Sequence, residues 1–138
     1  MSLDQFMDCK WNMAVNRQTR MLADLTLVDC YDKSKMAAEE RHRVMLKSAK
    51  EHLRQMPYFG LTEYIVESQF MFEQTFGIKF TVPLVQKNNT HASKSSVLPV
   101  QLDRISTMNA LDVELYKYAK DLFFERLRAM RSKAPSFF

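Results

Sequence analysis

Glycine is nearly missing from this chain: Gly60 and Gly77 are the only two in 138 residues. Dinucleotide fingerprints and phosphate loops need several glycines close together, so that backbone N–H groups can approach an anion. No such cluster exists here, so the chain does not carry the usual phosphate cradle. Cysteine is equally sparse, with Cys9 and Cys30 alone. Two thiols without clustered histidines cannot assemble a tetrahedral zinc site. They are either free thiols or one bridge closing a loop of about 20 residues, worth on the order of 3 kcal/mol. No run approaches the roughly 18 apolar residues of a membrane span. The start, Met1-Ser2-Leu3-Asp4-Gln5-Phe6, has neither a basic nor an apolar leader region, so no signal peptide is expected. Charge of one sign is also lacking. Twenty basic against 16 acidic residues leave +4, with no block that reads as a nucleic-acid arm.

What is present is an ordinary globular balance, 46% hydrophobic and 26% charged, with ten Met and ten Phe. That composition argues against disorder, and the length by itself admits one self-contained domain. The stretch 20–25, from Arg20 to Leu25, reads as a short helix. Ser34 is the expected N-cap of the next one, with Glu39 and Glu40 early and Lys47, Lys50 and Arg54 late, the order a helix dipole favours. Met45, Ala49, Leu53 and Met56 make one apolar row, and Pro57 ends it. Thr62 is expected to cap a helix carrying Ile65, Phe72 and Phe76, with Gly77 at its left-handed end. Ile78-Lys79-Phe80-Thr81-Val82 alternates with period two and reads as a strand stopped by Pro83. A last long helix starts near Asn109 with Asp112 as a capping-box analogue; Leu111, Leu115, Tyr118 and Leu122 line one face, and Ala119, Phe123, Leu127 and Met130 extend it. The Met and Phe stripes fit helix packing and read as core rather than a cofactor box.

One segment differs in kind. Gln86-Lys87-Asn88-Asn89-Thr90-His91-Ala92-Ser93-Lys94-Ser95-Ser96 is polar and rich in hydrogen-bonding groups. It holds His91 and a glycosylation sequon on Asn88. The other histidines, His42 and His52, lie ten residues apart on one predicted helix and face about 80° apart, which makes no metal pair. No serine or cysteine can be assigned to a triad from the sequence. Residue chemistry and spacing stop at a helix-rich globular piece with one polar loop.

Three stretches carry a resemblance. The first is Phe6-Met7-Asp8-Cys9 with Asn16-Arg17-Gln18-Thr19-Arg20-Met21-Leu22-Ala23-Asp24-Leu25 and Cys30-Tyr31. The second is Phe59-Gly60-Leu61-Thr62-Glu63 with Gln69-Phe70 and Phe72-Glu73-Gln74-Thr75-Phe76. The third is Tyr116-Lys117-Tyr118-Ala119-Lys120-Asp121-Leu122-Phe123. In order and spacing these resemble the heparan-sulfate 6-O-sulfotransferases, from Phe6 to about Arg126.

The resemblance implies that residues 1–138 are the C-terminal segment of a single sulfotransferase domain. The implied fold is α/β: the helix-rich C-terminal portion of a P-loop-like domain, without the phosphosulfate-binding loop, its lysine or the catalytic histidine. No catalytic residue is then expected in this chain, and no metal. The implied sulfuryl donor is 3′-phosphoadenosine 5′-phosphosulfate, and the implied acceptor is the 6-hydroxyl of glucosamine in heparan sulfate. The resemblance assigns the loop that closes over the nucleotide to Val85, Gln86, Lys87, Thr90 and His91. The family usually has arginine where this chain has His91, which replaces a permanent charge and a bidentate fork with a weaker phosphate partner. The same resemblance implies the Golgi lumen, membrane anchorage outside this chain, no nucleic-acid partner, a Cys9–Cys30 disulfide and a lumenal sequon at Asn88. Asn16, Arg17 and Arg20 are expected to brace the structure rather than line an active site. The alternative reading is a noncatalytic helical interaction module derived from the same fold.

Overall fold

The computed structural model describes residues 1–85 and 96–133. Among them lie six α-helices: α1 (Leu3–Asp8), α2 (Arg17–Leu22), α3 (Ala38–Gln55), α4 (Ile65–Phe76), α5 (Pro99–Met108) and α6 (Ala110–Lys133). Short 3-10 turns occupy Leu25–Val28 and Thr62–Tyr64.

The axis of the fold is α6. Its 24 residues run about 36 Å, and Leu115, Ala119, Phe123 and Leu127 are buried along one stripe. The repeat of four keeps these side chains on one face, which is why a single helix can serve two partners in succession. Against its first half packs α3, where Leu46, Ala49 and Leu53 meet Leu115 and Ala119. Farther along, Met71 of α4 joins Leu61, Phe123 and Leu127. Phe123 is fully buried, with the rings of Phe124, Tyr64 and Phe59 at 5.4, 6.0 and 6.3 Å between centroids. Such edge-on and tilted pairs add to the burial of the rings themselves.

Most expected apolar rows are the buried ones, but several ends differ. The expected helix at 20–25 is displaced: α2 stops at Leu22, and Asp24 caps the next 3-10 turn by accepting from the Thr26 amide at 3.0 Å. Ser34 does not cap α3. Its amide and hydroxyl donate to Asp32 Oδ1 at 2.9 and 2.6 Å, a local turn that competes with capping, and α3 begins only after Ala37. Gly77 does take the left-handed C-cap of α4, at φ 66°, where a Cβ would be strained.

The expected strand at 78–82 is not formed, and no strand occurs among the described residues. The reason is visible in α4. Glu73 Oε1 accepts the Phe80 amide at 3.0 Å, and Gln69 Oε1 accepts the Leu84 amide at 2.7 Å. The Phe80 ring lies 5.4 Å from that of Phe72. Side chains of the preceding helix therefore take backbone donors that a sheet ladder would use. Of the α/β expectation, the described residues carry the helix-rich part.

Candidate functional site

The segment between α1 and α3 is positioned by α6 through an exchange of helix caps. Asn16 sits in the left-handed region at φ 50° just before α2. Its Oδ1 accepts the amides of Leu111 and Asp112 at 3.1 and 3.3 Å, capping α6. Its Nδ2 donates to the Met108 carbonyl at 3.2 Å, and its amide donates to Asn109 Oδ1 at 2.9 Å. In return, Asp112 caps α2. Its carboxylate accepts the Gln18 amide at 3.1 Å, the Thr19 amide at 2.8 Å and the buried Thr19 hydroxyl at 2.7 Å. Each helix start thus has its orphan N–H groups satisfied by the other. The anionic cap also suits the positive end of α2. Asn109 and Asp112, expected to cap α6 locally, act across the chain instead.

Two arginines fold the loops that follow. Arg20 donates to the carbonyls of Met13 and Val15. The buried Arg41 of α3 donates to the carbonyls of Val28 and Cys30, and to that of Asp32 at 3.4 Å. Asp29 and Cys30 are consecutive residues at positive φ, 59° and 52°, and the Arg41 fork holds the turn they make. Neither arginine is in an ion pair among the described residues. The expectation that Asn16 and Arg20 brace the structure holds, while Arg17 stands exposed.

These loops enclose a cleft of about 600 Å³, within the range of small-ligand sites. Arg20 and Arg41 lie in its lining with Lys10, Lys33 and His42, and Trp11 and Tyr31 contribute aromatic surface. Trp11 is 87% exposed and Tyr31 62%. No Asp or Glu lines it among the described residues. Asp29 and Asp32, on the neighbouring loop, face Lys35 at 2.6 and 4.0 Å. Ser34 hydroxyl and amide bonds hold the Asp32 carboxyl below its usual range, with Arg41 adding to the effect.

A second group of titratable side chains lies on α6 and the turn before α4. Tyr116 donates to Glu63 at 3.2 Å, and Lys120 Nζ stands 5.4 Å from the Tyr64 ring centre. Glu63 is lowered by its own backbone amide and then by Tyr116, Tyr116 is raised by desolvation and Lys120 is raised by Tyr64. Every shift strengthens the ordinary neutral-pH charge state, so this group offers no proton-transfer residue. No cluster of potential metal ligands occurs among the described residues. None of their helices is long and apolar enough to cross a membrane.

Of the residues assigned to the nucleotide, Val85 alone is described, exposed at the end of the segment held by Gln69 and Glu73. Gln86, Lys87, Thr90 and His91, and the sequon at Asn88, lie outside the described residues. Cys9 and Cys30 are not joined: each is an exposed free thiol. Cys9 ends α1, whereas Cys30 is fixed in its left-handed turn by Arg41. His52, expected to be a solvated helix residue, is exposed, with Nδ1 2.6 Å from the Leu22 carbonyl at the end of α2. The cleft itself was missed in the sequence, because its cations are scattered from Lys10 to His42 and never form a run.

A family model described as the sulfotransferase family matches residues 1–119. Heparan-sulfate 6-O-sulfotransferase 2 of Gallus gallus is 51% identical over 132 residues, 96% of this chain and 33% of that protein. The human protein of the same name is 50% identical over 131 residues, 95% of this chain and 22% of its own length. Human heparan-sulfate 6-O-sulfotransferase 3 is 50% identical over 125 residues, covering 91% of this chain and 26% of that protein. The chain thus spans a third or less of these relatives.

Proposed function

We propose, from the premise that this chain belongs to the sulfotransferase family, that it forms the C-terminal segment of a heparan-sulfate 6-O-sulfotransferase domain. The carrying observation is identity of about half across nearly the whole chain to relatives bearing that name. In the reaction, an acceptor hydroxyl oxygen forms a bond to sulfur as the bond from sulfur to the leaving phosphate oxygen breaks, and the hydroxyl proton passes to a base. Such a transfer requires in-line placement and cations over the developing charge. The donor, 3′-phosphoadenosine 5′-phosphosulfate, supplies an activated sulfuryl group when bound. This chain's part is to bind and orient it through Val85, Gln86, Lys87, Thr90 and His91, while the phosphosulfate loop and base belong to sequence outside these 138 residues. The α/β sheet of the proposed domain likewise draws on that other sequence, and its setting is the Golgi lumen. Support for the donor assignment comes from the motif and from α4, whose Gln69 and Glu73 fix the approach to Val85.

Titration with adenosine 3′,5′-bisphosphate tests the assignment. Saturable binding that disappears in Thr90→Ala is expected, with no sulfate transfer to desulfated heparin by the chain alone. Absence of nucleotide binding overturns the donor wall. It favours a noncatalytic helical module, the reading for which His91 in place of the family arginine speaks.

A further inference from the structure

We infer that the segment 78–82 is a latent edge strand whose partner is a β-sheet built by the rest of the sulfotransferase domain. The inference rests on the functional reading above for the existence of that sheet, while its observations come from α4 and the residues after it. The first is an apolar face without a partner. Ile78, Phe80, Val82 and Leu84 recur with period two and are between 39% and 69% exposed. A helix partner selects apolar residues three and four apart, whereas a period of two is one side of a strand. Lys79 and Thr81 put polar side chains on the other side. Such a strand suits a sheet with one face covered and the other wet.

The second observation is the backbone. Among the described residues, the amides of Phe80 and Leu84 are the only main-chain groups of 78–85 in hydrogen bonds, and both donate to side chains of α4. Alternate residues of an extended chain point their N–H and C=O groups the same way. The edge carrying Phe80 and Leu84 is therefore closed by α4. The opposite edge, with the N–H and C=O groups of Lys79 and Thr81, is open, and both residues are exposed. One open edge admits one neighbouring strand. The segment thus belongs at the rim of a sheet, where Pro83 ends the ladder without breaking it. Unpaired, it bends at Thr81 and Val82, and pairing draws it straight. The third observation is what can pair. The described residues contain no strand, and the Gallus gallus relative matches this chain over only 33% of its length. Most of that protein is sequence this chain does not supply, and an open edge takes a strand by main-chain hydrogen bonding. A second copy of the chain offers only the same short edge, and the test separates the two.

The tagged 138-residue chain is co-expressed with the Gallus gallus relative from which the matching third has been deleted. Capture of that protein is expected, with amide exchange at Lys79 and Thr81 slowed about a hundredfold in the complex. The intact relative, whose own segment fills the place, should not be captured. Thr81→Pro removes the open-edge donor, and Val82→Asp puts a charge on the apolar face; each should lower capture about tenfold or more. Val100→Asp, on the equally exposed Val100 of α5, should change it about twofold or less. Far-UV circular dichroism confirms that each free variant retains its helices. No capture by the unaltered chain, capture of the intact relative, or equal losses in all three variants overturns the proposal. Concentration-dependent dimers of the chain alone, with Lys79 and Thr81 protected, also overturn it, since the edge then belongs to a second copy. Capture lost on Thr81→Pro, by a complex that transfers no sulfate to desulfated heparin, sinks only the activity reading. Transfer unaffected by Thr81→Pro sinks only the edge strand.

Discussion

Replacing Asn16 tests whether the exchange of caps holds the fold together. Its side chain caps α6 through two amides and satisfies the Met108 carbonyl, while its backbone stands at φ 50°. Loss of an N-cap costs about 1 kcal/mol, and loss of the part-buried bond to Met108 about 1 kcal/mol more. A Cβ without the compensating asparagine side chain adds about 1 kcal/mol at a left-handed position, net of the entropy that glycine gives the unfolded chain. Asn16→Ala should therefore destabilise by about 3 kcal/mol and Asn16→Gly by about 2 kcal/mol. With a urea m-value of about 2 kcal/mol/M, the midpoints should fall by about 1.5 M and about 1 M. Urea titration followed by far-UV circular dichroism and Trp11 fluorescence reads both. The order matters most. If alanine is as stable as glycine here, the left-handed backbone is not what asparagine serves. If both lose less than about 0.5 kcal/mol, the caps are not coupled to global stability, and the reasoning fails.

Two further outcomes follow from the same geometry. Gln69 and the Phe80 amide hold the Glu73 carboxyl below its usual 4.5. The bond to Phe80 is thus fully present above that value and lost as pH falls through the lowered one. Hydrogen exchange should show Phe80 losing protection in acid while Leu84, bonded to neutral Gln69, keeps it; equal loss at both refutes the assignment. Cys9 and Cys30, both exposed and unjoined, should react with Ellman's reagent in the native chain at two thiols per molecule, and zero would mean that a bridge forms in solution.

The apolar register was legible because four-residue spacing admits one buried face. Met45, Ala49 and Leu53, and Leu115, Ala119, Phe123 and Leu127, are buried, while Met56, Leu111, Tyr118, Leu122 and Met130 of the same expected rows are only partly so. Gly77 was legible for a local reason too, since a left-handed helix end has few other occupants. What escaped were features decided by distant partners. Asp112 reads as a local cap, yet it serves Gln18 and Thr19 some ninety positions away. The alternation at 78–82 is that of a strand, yet Glu73 claims the Phe80 amide, and Gln69 that of Leu84 just beyond. Ser34 lost to Asp32 for a nearer reason, a turn that forms within three residues. The donor loop was singled out by composition and family motif, and the cationic cleft by neither, since folding alone gathers its charges.

The long-range caps also set a timetable for synthesis. Asn16 and Asp112 exchange bonds across separations of 92 to 96 residues, and Arg126 reaches back to the carbonyls of Arg54 and Met56 at the end of α3. At roughly 5 to 20 residues per second, about 5 to 20 s pass between the emergence of Asn16 and that of its partner. Until then the start of α2 lacks its Asp112 cap, and the stripe of α3 centred on Ala49 has no α6 to bury it. Over that interval this segment of the nascent chain stays open and accessible to chaperones, and it closes only when α6 leaves the ribosome.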